Sequence, residues 1–502
     1  MRSLESALRQ LRGQQEELRI YAQDHKAILS PARRLFPELW SEIFLWCLPE
    51  HLEHHLARRS AGDNITDVSA LDAPLLLTRV CSTWREIALS APKLWSNIAY
   101  TVCRPSASKS QLQRLKTWLS RSGITPLSVV ICRSFFDANN HLDHPYLYIP
   151  DPIPPLSDDP VLQFIFSQSH RWESAEMILP ASESAQALVP LMDNLPNLRR
   201  LTFGMFWNDT TAASTDSHSN VFIGAFETAP RLEDVAFVEQ ARLHIALPSS
   251  NALTSLSVEA LMSPLDAISM LYQYTNLQTC SLNVMTTLSL PTTQLVVDDQ
   301  RPVLQMRSLT LKLSGNTVCT YGSFLSRLHL PHLSELRIRS YKWVQGQIIP
   351  FLEELPPMRS LELSSPSLSA EHLVECLGLP SMRTVEELFV GQGIIFHVPF
   401  VPNEPGFANL FRSGRFLPRL EQVGWVCFGN ATTGYDAAQI ACMLGARMDD
   451  VGGQDERSFG RFRSFHLTLN RKWGDLGGRN VFFGFEEFQS RGVYVDVRVR
   501  RY

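Results

Sequence analysis

Apolar residues recur along this chain with three different periods, and each period predicts a different kind of element. Between residues 1 and 29, Leu4, Leu8, Leu11, Leu18, Ala22 and Leu29 fall on alternating four- and three-residue steps, with Gln15 and His25 at the remaining seam positions. That heptad spacing predicts one long helix, either packed along its own chain or paired with another as a coiled coil. Gly13 weakens it. From Leu35 to Ile98 the period becomes that of short amphipathic helices. Leu35, Leu39, Ile43, Phe44 and Leu48 mark one apolar face. Pro37 suits its first turn, Glu38 suits the positive end of its dipole, and Pro49 stops it. A second helix is predicted from about Pro74 to Leu89, with Leu76, Val80, Trp84, Ile87 and Ala88 on one side. A short third piece carries Leu94 and Trp95, and the polar segment Glu50–Asp72 predicts a loop between the first two helices. Three such helices in about sixty residues cannot bury all their large side chains among themselves. The surplus needs a partner protein or the rest of this chain.

Trp95 to Val102 alternates loosely as a strand does, Gln111–Ser122 has helical spacing ending at Gly123, and Leu127–Cys132 is a short β-rich run. Strand, helix, strand predicts a parallel crossover unit. The proline-rich run from His144 to Pro160 predicts a loop. From Trp172 onward a third pattern repeats: proline, any residue, apolar, two residues, apolar, one residue, apolar. It appears as Pro196-Leu198-Leu201-Phe203, Pro230-Leu232-Val235-Phe237, Pro331-Leu333-Leu336-Ile338, Pro356-Met358-Leu361-Leu363 and Pro418-Leu420-Val423-Trp425. With 31 prolines in the chain, roughly one such match is expected by chance. Looser copies sit at Trp172, Leu253, Leu277, Met306, Met382 and Phe462. The steps from Trp172 to Met382 are 26, 34, 21, 24, 29, 27, 25 and 24 residues, and those on to Leu420 and Phe462 are 38 and 42. A period near 26 is that of a stack with one strand and one helical segment per turn. Asp266–Tyr274 and Glu371–Leu377 supply helical segments, and Val493–Val499 predicts a closing strand.

Composition changes this picture little. A net charge of −4 over 502 residues gives no reason to expect nucleic acid or an acidic membrane as partner. Nine cysteines without a C-x-x-C pair predict free thiols and a reducing compartment, cytoplasmic or nuclear, with no cofactor or metal. No apolar run approaches the ~20 residues that span a bilayer, and the polar N-terminus predicts no secretory signal. Phosphate-loop, nucleophile-elbow and zincin motifs are missing, so no enzyme is expected. His51, His54 and His55 cluster, but in the polar segment between helices they read as solvated.

One stretch resembles a known family. Leu35, Pro37, Glu38, Leu39, Ile43 and Phe44, then Val80, Cys81, Trp84 and Arg85, then Pro92, Leu94 and Trp95 follow the order and second-half spacing of the F-box. The inserted Phe36 and the long Glu50–Asp72 segment depart from it. The repeats resemble the irregular leucine-rich repeats that follow the F-box in many of its members, notably fungal ones, although the Asn or Cys that normally ends the strand motif is mostly missing. The expected architecture is therefore α then α/β: an N-terminal helix over 1–29, a three-helix F-box over 30–98 with an inserted loop at 50–72, and over 99–502 an irregular leucine-rich-repeat solenoid with a parallel β-sheet. The resemblance implies a non-catalytic substrate receptor. It would dock the Skp adaptor, and through it a cullin ubiquitin ligase, by Leu35, Pro37, Leu39, Ile43, Leu48, Val80, Trp84 and Trp95. The alternative is a repeat scaffold whose F-box-like helices act only as a structural cap. Alternation along each repeat strand points Arg200, Asp234, Glu335, Arg337, Arg339 and Glu362 outward. That mixed-charge, concave face is the expected site for an unknown protein substrate, with the Gly204–Asn220 loop as the competing site.

Overall fold

The computed structural model describes residues 10–22, 34–48, 74–102, 108–133, 155–206, 221–238, 243–245, 247–248, 252–286, 302–315, 321–391, 417–427, 463–470, 489 and 493–500. The chain divides into two compact units, Met1–Trp172 and Glu173–Tyr502. The division falls at Trp172, so the first strand–helix–strand is described with the helical segment before it.

In the first unit, residues 10–22 are helical. Every one of them is exposed, Leu11 and Leu18 at 62% and 68% among them. Packing of this seam against its own chain is thus not found over these residues; 1–9 and 23–29 lie outside the described residues. Helix α1 (Pro37–Trp46) starts on Pro37 as expected. The second predicted helix is instead two, α2 (Leu77–Val80) and α3 (Ser82–Ser90), broken at Cys81, whose backbone is extended (φ −157°, ψ 172°). The break has a local cause. The Cys81 thiol accepts the Trp84 amide at 3.4 Å, capping α3, and the Arg85 guanidinium reaches back to the Thr78 carbonyl at 2.8 Å. A 3₁₀ turn, Pro92–Trp95, precedes β1 (Asn97–Val102), α4 (Ser108–Ser122) and β2 (Leu127–Arg133), and β1 pairs with β2 in parallel. Gly123 ends α4 at φ +55°, the left-handed conformation expected there. Asp159 then caps α5 (Pro160–Phe166), taking the Val161 and Leu162 amides at 2.8 and 3.0 Å.

The second unit is a parallel stack. Its strands are β3 (Trp172–Pro180), β4 (Arg200–Phe206), β5 (Val221–Ile223), β6 (Asp234–Val238), β7 (Leu243–Ile245) and β8 (Ser255–Met262), followed by β9 (Thr279–Thr286), β10 (Ser308–Gly315), β11 (Glu335–Ser340) and β12 (Ser360–Ser364), then β13 (Glu387–Gly391), β14 (Gln422–Cys427), β15 (Ser464–Asn470) and β16 (Tyr494–Arg500). Apart from β5 and β7, which form a parallel pair of their own, they lie side by side in chain order in one open sheet. Nine strands, β4, β6, β8 to β12, β14 and β15, begin two residues after a predicted repeat anchor, while β3 begins on its anchor Trp172 and β13 five residues after Met382, so the period read from the sequence is largely the period of the sheet. Parallel neighbours need crossovers. Short helices supply several: α6 (Ala181–Ala187), α7 (Pro264–Gln273), α8 (Gly322–Leu325), α9 (Gln345–Glu353) and α10 (Ala370–Leu377). Two rows of side chains run across the strands inside the stack. Leu201, Val235, Leu256, Cys280, Leu309, Leu336, Leu361, Leu388, Val423 and Phe465 form one. Phe203, Phe237, Val258, Leu282, Leu311, Ile338, Leu363 and Val390 form the other, and all of these are buried. Among the described residues no helix is long and apolar enough to cross a membrane.

Two predictions follow from this packing. At Gly204 a Cβ would stand 2.8 Å from Val238 Cγ2 and 2.9 Å from the Val238 carbonyl oxygen, so β4 and β6 approach too closely there for any side chain. Gly204→Ala should cost about 1–3 kcal/mol by forcing that pair apart, whereas Gly346→Ala, with nothing within 4 Å, should leave the thermal midpoint unchanged or slightly raised. Equal midpoints for the two variants would contradict the close approach. The second concerns the thiols. Among the described residues, Cys47, Cys81, Cys132, Cys280 and Cys376 form no disulfide. Burial pushes Cys280 and Cys376 up to about 12, with the Glu375 charge adding to the effect at Cys376. Because both folded values lie above the ordinary 9.0, the unfolded chain loses these protons first as pH rises. Their contribution is full below about pH 9 and is lost toward pH 12, so the midpoint should fall across that range. At pH 8 a disulfide reagent should label exposed Cys47 and Cys81 in the folded protein, and Cys280 and Cys376 only after unfolding.

Candidate functional site

The helical segment of the first unit sorts its apolar residues into an inside and an outside. Inside, Phe44, Leu77, Ile87, Ala88, Leu94 and Trp95 form a buried cluster, with Trp40, Leu45, Leu48, Leu75, Trp84, Ala91 and Trp118 packed on it. The rings of Trp40, Phe44 and Trp84 meet at centroid distances of 4.8–5.6 Å. Such pairs add about 0.5–1.5 kcal/mol beyond burial. Trp95 is the keystone. It is 0% exposed, donates its indole N–H to the Ala88 carbonyl at 2.8 Å, and meets Trp118 of α4 edge-on at 4.7 Å.

Outside, α1 carries a second stripe. Leu39, Ile43 and Trp46 are spaced i, i+4, i+7 and are 49%, 42% and 87% exposed, while Trp40, Phe44 and Leu48 face the core. Phe36 and Leu76 are exposed too, and Val80, one turn beyond Leu76, is 55% exposed. The eight residues predicted to bind an adaptor therefore fall into groups. Leu39, Ile43 and Val80 are open, as is Pro37; Leu35 is half-buried. Leu48 and Trp84 lean on the core, and Trp95 lies wholly inside it. As placed, Trp95 presents no surface to a partner: its size and its position between α3 and α4 make it core. The sequence reading missed Phe36 and Trp46 as surface apolar residues. The i, i+4, i+7 spacing from Leu39 to Trp46 was the available signal, masked because α1 is apolar on two sides.

In the second unit the outward positions of the strands form a polar face. Arg200, Asp234, Arg337 and Arg339 are exposed, and Glu335 and Glu362 half-buried. They sit on two pairs of adjacent strands, β4–β6 and β11–β12: Arg200 is beside Asp234, Arg337 beside Glu362, and Glu335 lies in the same row as the first pair, with β8, β9 and β10 between. Glu362 accepts from Arg339 at 2.8 Å and lies 3.6 Å from Arg337. Lys312 and Glu259 pair at 3.6 Å, and His466 and Asp496 at 3.5 Å. The Arg337, Arg339 and Lys312 charges are thus met by carboxylates on other strands. Two neighbouring positions differ from the alternation rule. Ser360 is buried, and Gly424 is covered because the Phe389 ring occupies the space a Cβ would need. Residues 207–220 of the competing loop, and His51, His54 and His55, lie outside the described residues. Among the described residues no group of three or more His, Cys, Asp or Glu is placed to hold a metal. No protein-family model matches this chain, and no curated protein matches it.

The inside–outside division predicts a separation of effects. Trp95→Ala should destabilise the protein by about 3–5 kcal/mol, as large-to-small core changes do, whereas Leu39→Asp should shift stability by no more than about 0.5 kcal/mol. Chemical denaturation of the two variants measures this, and a Leu39→Asp loss comparable to that of Trp95→Ala would place Leu39 in the core.

Proposed function

We propose that this protein is a non-catalytic recognition subunit, an F-box protein in which the helical segment docks the Skp adaptor of a cullin ubiquitin ligase and the repeat sheet holds a protein substrate. The observation that carries the reading is the unpartnered apolar stripe Leu39–Ile43–Trp46 on a helix whose other side is already packed. Large apolar side chains exposed together on one helix face favour a protein partner. The F-box-like residues support the reading by the way they divide. Cys81, Arg85, Leu94 and Trp95 hold the helices together, which leaves Leu39, Ile43 and Val80 free for contact. On this division the docking set is Pro37, Leu39, Ile43 and Val80, joined by Phe36, Trp46 and Leu76, with Leu35 at its margin.

The capping reading has its own observation, the Trp95–Trp118 contact that ties the helices to the strand–helix–strand beside them. Capping uses the inner side only and leaves the outer stripe without a role, so adaptor docking accounts for more of the surface. For the substrate, the paired charges of Arg337, Arg339 and Glu362 suit a protein with its own charge pattern, since complementarity selects the partner more than it strengthens binding.

Calorimetric titration of the full-length chain with purified Skp adaptor tests the proposal. A saturable one-to-one complex is expected. Leu39→Asp and Val80→Asp should each weaken it by about 2–4 kcal/mol, at least thirtyfold in Kd. The charge reversal Arg337→Glu/Arg339→Glu should leave it unchanged. A folded wild-type chain without affinity for the adaptor would leave the capping scaffold as the better account.

A further inference from the structure

The first unit contains a cavity of about 420 Å³ walled by β1, α2, α4 and α5. One wall is apolar: Ile98 on β1, Leu115 on α4, and Val161 and Ile165 on α5. The lining also brings in three arginines, Arg79 from α2 and Arg114 and Arg121 from α4, and among the described residues no aspartate or glutamate lines it. We infer that this cavity is a binding site for a small organic anion with a flat apolar body, such as an aromatic carboxylate, sulfonate or phosphate ester.

Three features support that chemistry. The volume lies within the range of about 300–1,000 Å³ typical of small-molecule sites. An anion entering the cavity meets guanidinium groups and, among the described lining residues, no carboxylate, and guanidinium suits carboxylate or phosphate in a two-point contact. The walls are also fixed beforehand. Arg121 lies over the Trp95 ring at 4.3 Å, and the Trp118 indole N–H donates to the Asn97 carbonyl at 3.2 Å. Tyr100 donates to the buried Asp159 carboxylate at 2.6 Å, and that carboxylate also caps α5. Arg114 and Arg121 are two helical turns apart, about 10 Å along α4, with Trp118 between them as a flat surface. A ligand with a ring and one acidic group therefore has a stacking partner and a cation at either end. The inference is independent of adaptor docking.

Fluorescence titration of the full-length chain tests it with 8-anilinonaphthalene-1-sulfonate, an aromatic anion, and with N-phenyl-1-naphthylamine, which has similar rings and no charge. One saturable site is expected, binding the sulfonate at least tenfold more tightly than the neutral dye. Arg79→Gln/Arg114→Gln should weaken the sulfonate at least tenfold, and Leu39→Asp should leave it unaffected, separating the cavity from the exposed stripe of α1. If the double variant melts early, Thr117→Trp, which keeps every charge and fills the rim, carries the same expectation. Free 2-naphthoate should displace the dye, and phosphatidylserine vesicles should not. Equal affinity for the two dyes, or full affinity in a folded arginine or Thr117→Trp variant, would overturn the inference. Displacement by vesicles alone would overturn it in favour of a lipid headgroup.

Discussion

A strand that places leucine, isoleucine or phenylalanine at every second position cannot hide that row by itself; only a neighbour in register can. Everything in the second unit follows from this. The amide of Arg199 donates to the Glu173 carbonyl at 2.9 Å, that of Glu233 to Arg199 at 2.9 Å, and the same bond recurs at Thr254, Gln278, Arg307, Ser334, Arg359, Glu386, Glu421 and Arg463. One such bond per repeat sets each strand at the same height as the last, so the two apolar rows stay aligned through insertions of very different length between strands. In a stack of this kind stability is carried by nearest-neighbour contacts. A misplaced row would expose its own side chains and those on either side. The polar face is what this constraint leaves over. Residues opposite the apolar rows are free to vary, and here they become alternating acids and bases paired across strands.

The helical segment obeys the same logic with a different outcome. Its inner side is closed by Trp40, Phe44, Trp84 and Trp95, a tight aromatic core for so short a segment. Closing that core uses one side of α1 and leaves Leu39, Ile43 and Trp46 on the other. Exposed surface of that kind is costly in water and gives the docking proposal its physical basis. The cavity beside it arises from the same packing, because Trp95 and Trp118 hold α4 against the helices and so bring the arginines of α2 and α4 to one space.

Much of this was legible beforehand, because period survives where identity does not. The anchors Leu198, Leu232, Leu333 and Met358 each precede a strand, and α7 and α10 fall within a few residues of their expected positions. The outward placement of Arg200, Asp234, Arg337 and Arg339 followed from alternation alone. What was hidden depends on contacts between residues distant in sequence, or on side chains replacing backbone partners. Nothing in the apolar spacing from Pro74 to Leu89 marks Cys81 as a break, since the cap is a thiol rather than a hydroxyl. The burial of Trp95 depends on Trp118, beyond the helical segment. The short β5–β7 pair lacks the repeat signature. Phe389 covers Gly424 because one neighbour is a glycine, which alternation along a single strand does not reveal. The heptad seam of Leu11 and Leu18 predicted a helix, which is found over residues 10–22, and gave no information on what it packs against.

The central claim is that the outer side of α1 and the exposed end of α2 are a docking surface. Hydrogen–deuterium exchange on the full-length chain, with and without saturating Skp adaptor, reads that surface directly. The account predicts slowed exchange over 37–46 and 77–90 on adaptor addition, with the sheet strands from β4 to β13 unchanged. Protection confined to the sheet strands, or no change anywhere in a folded chain, would contradict it.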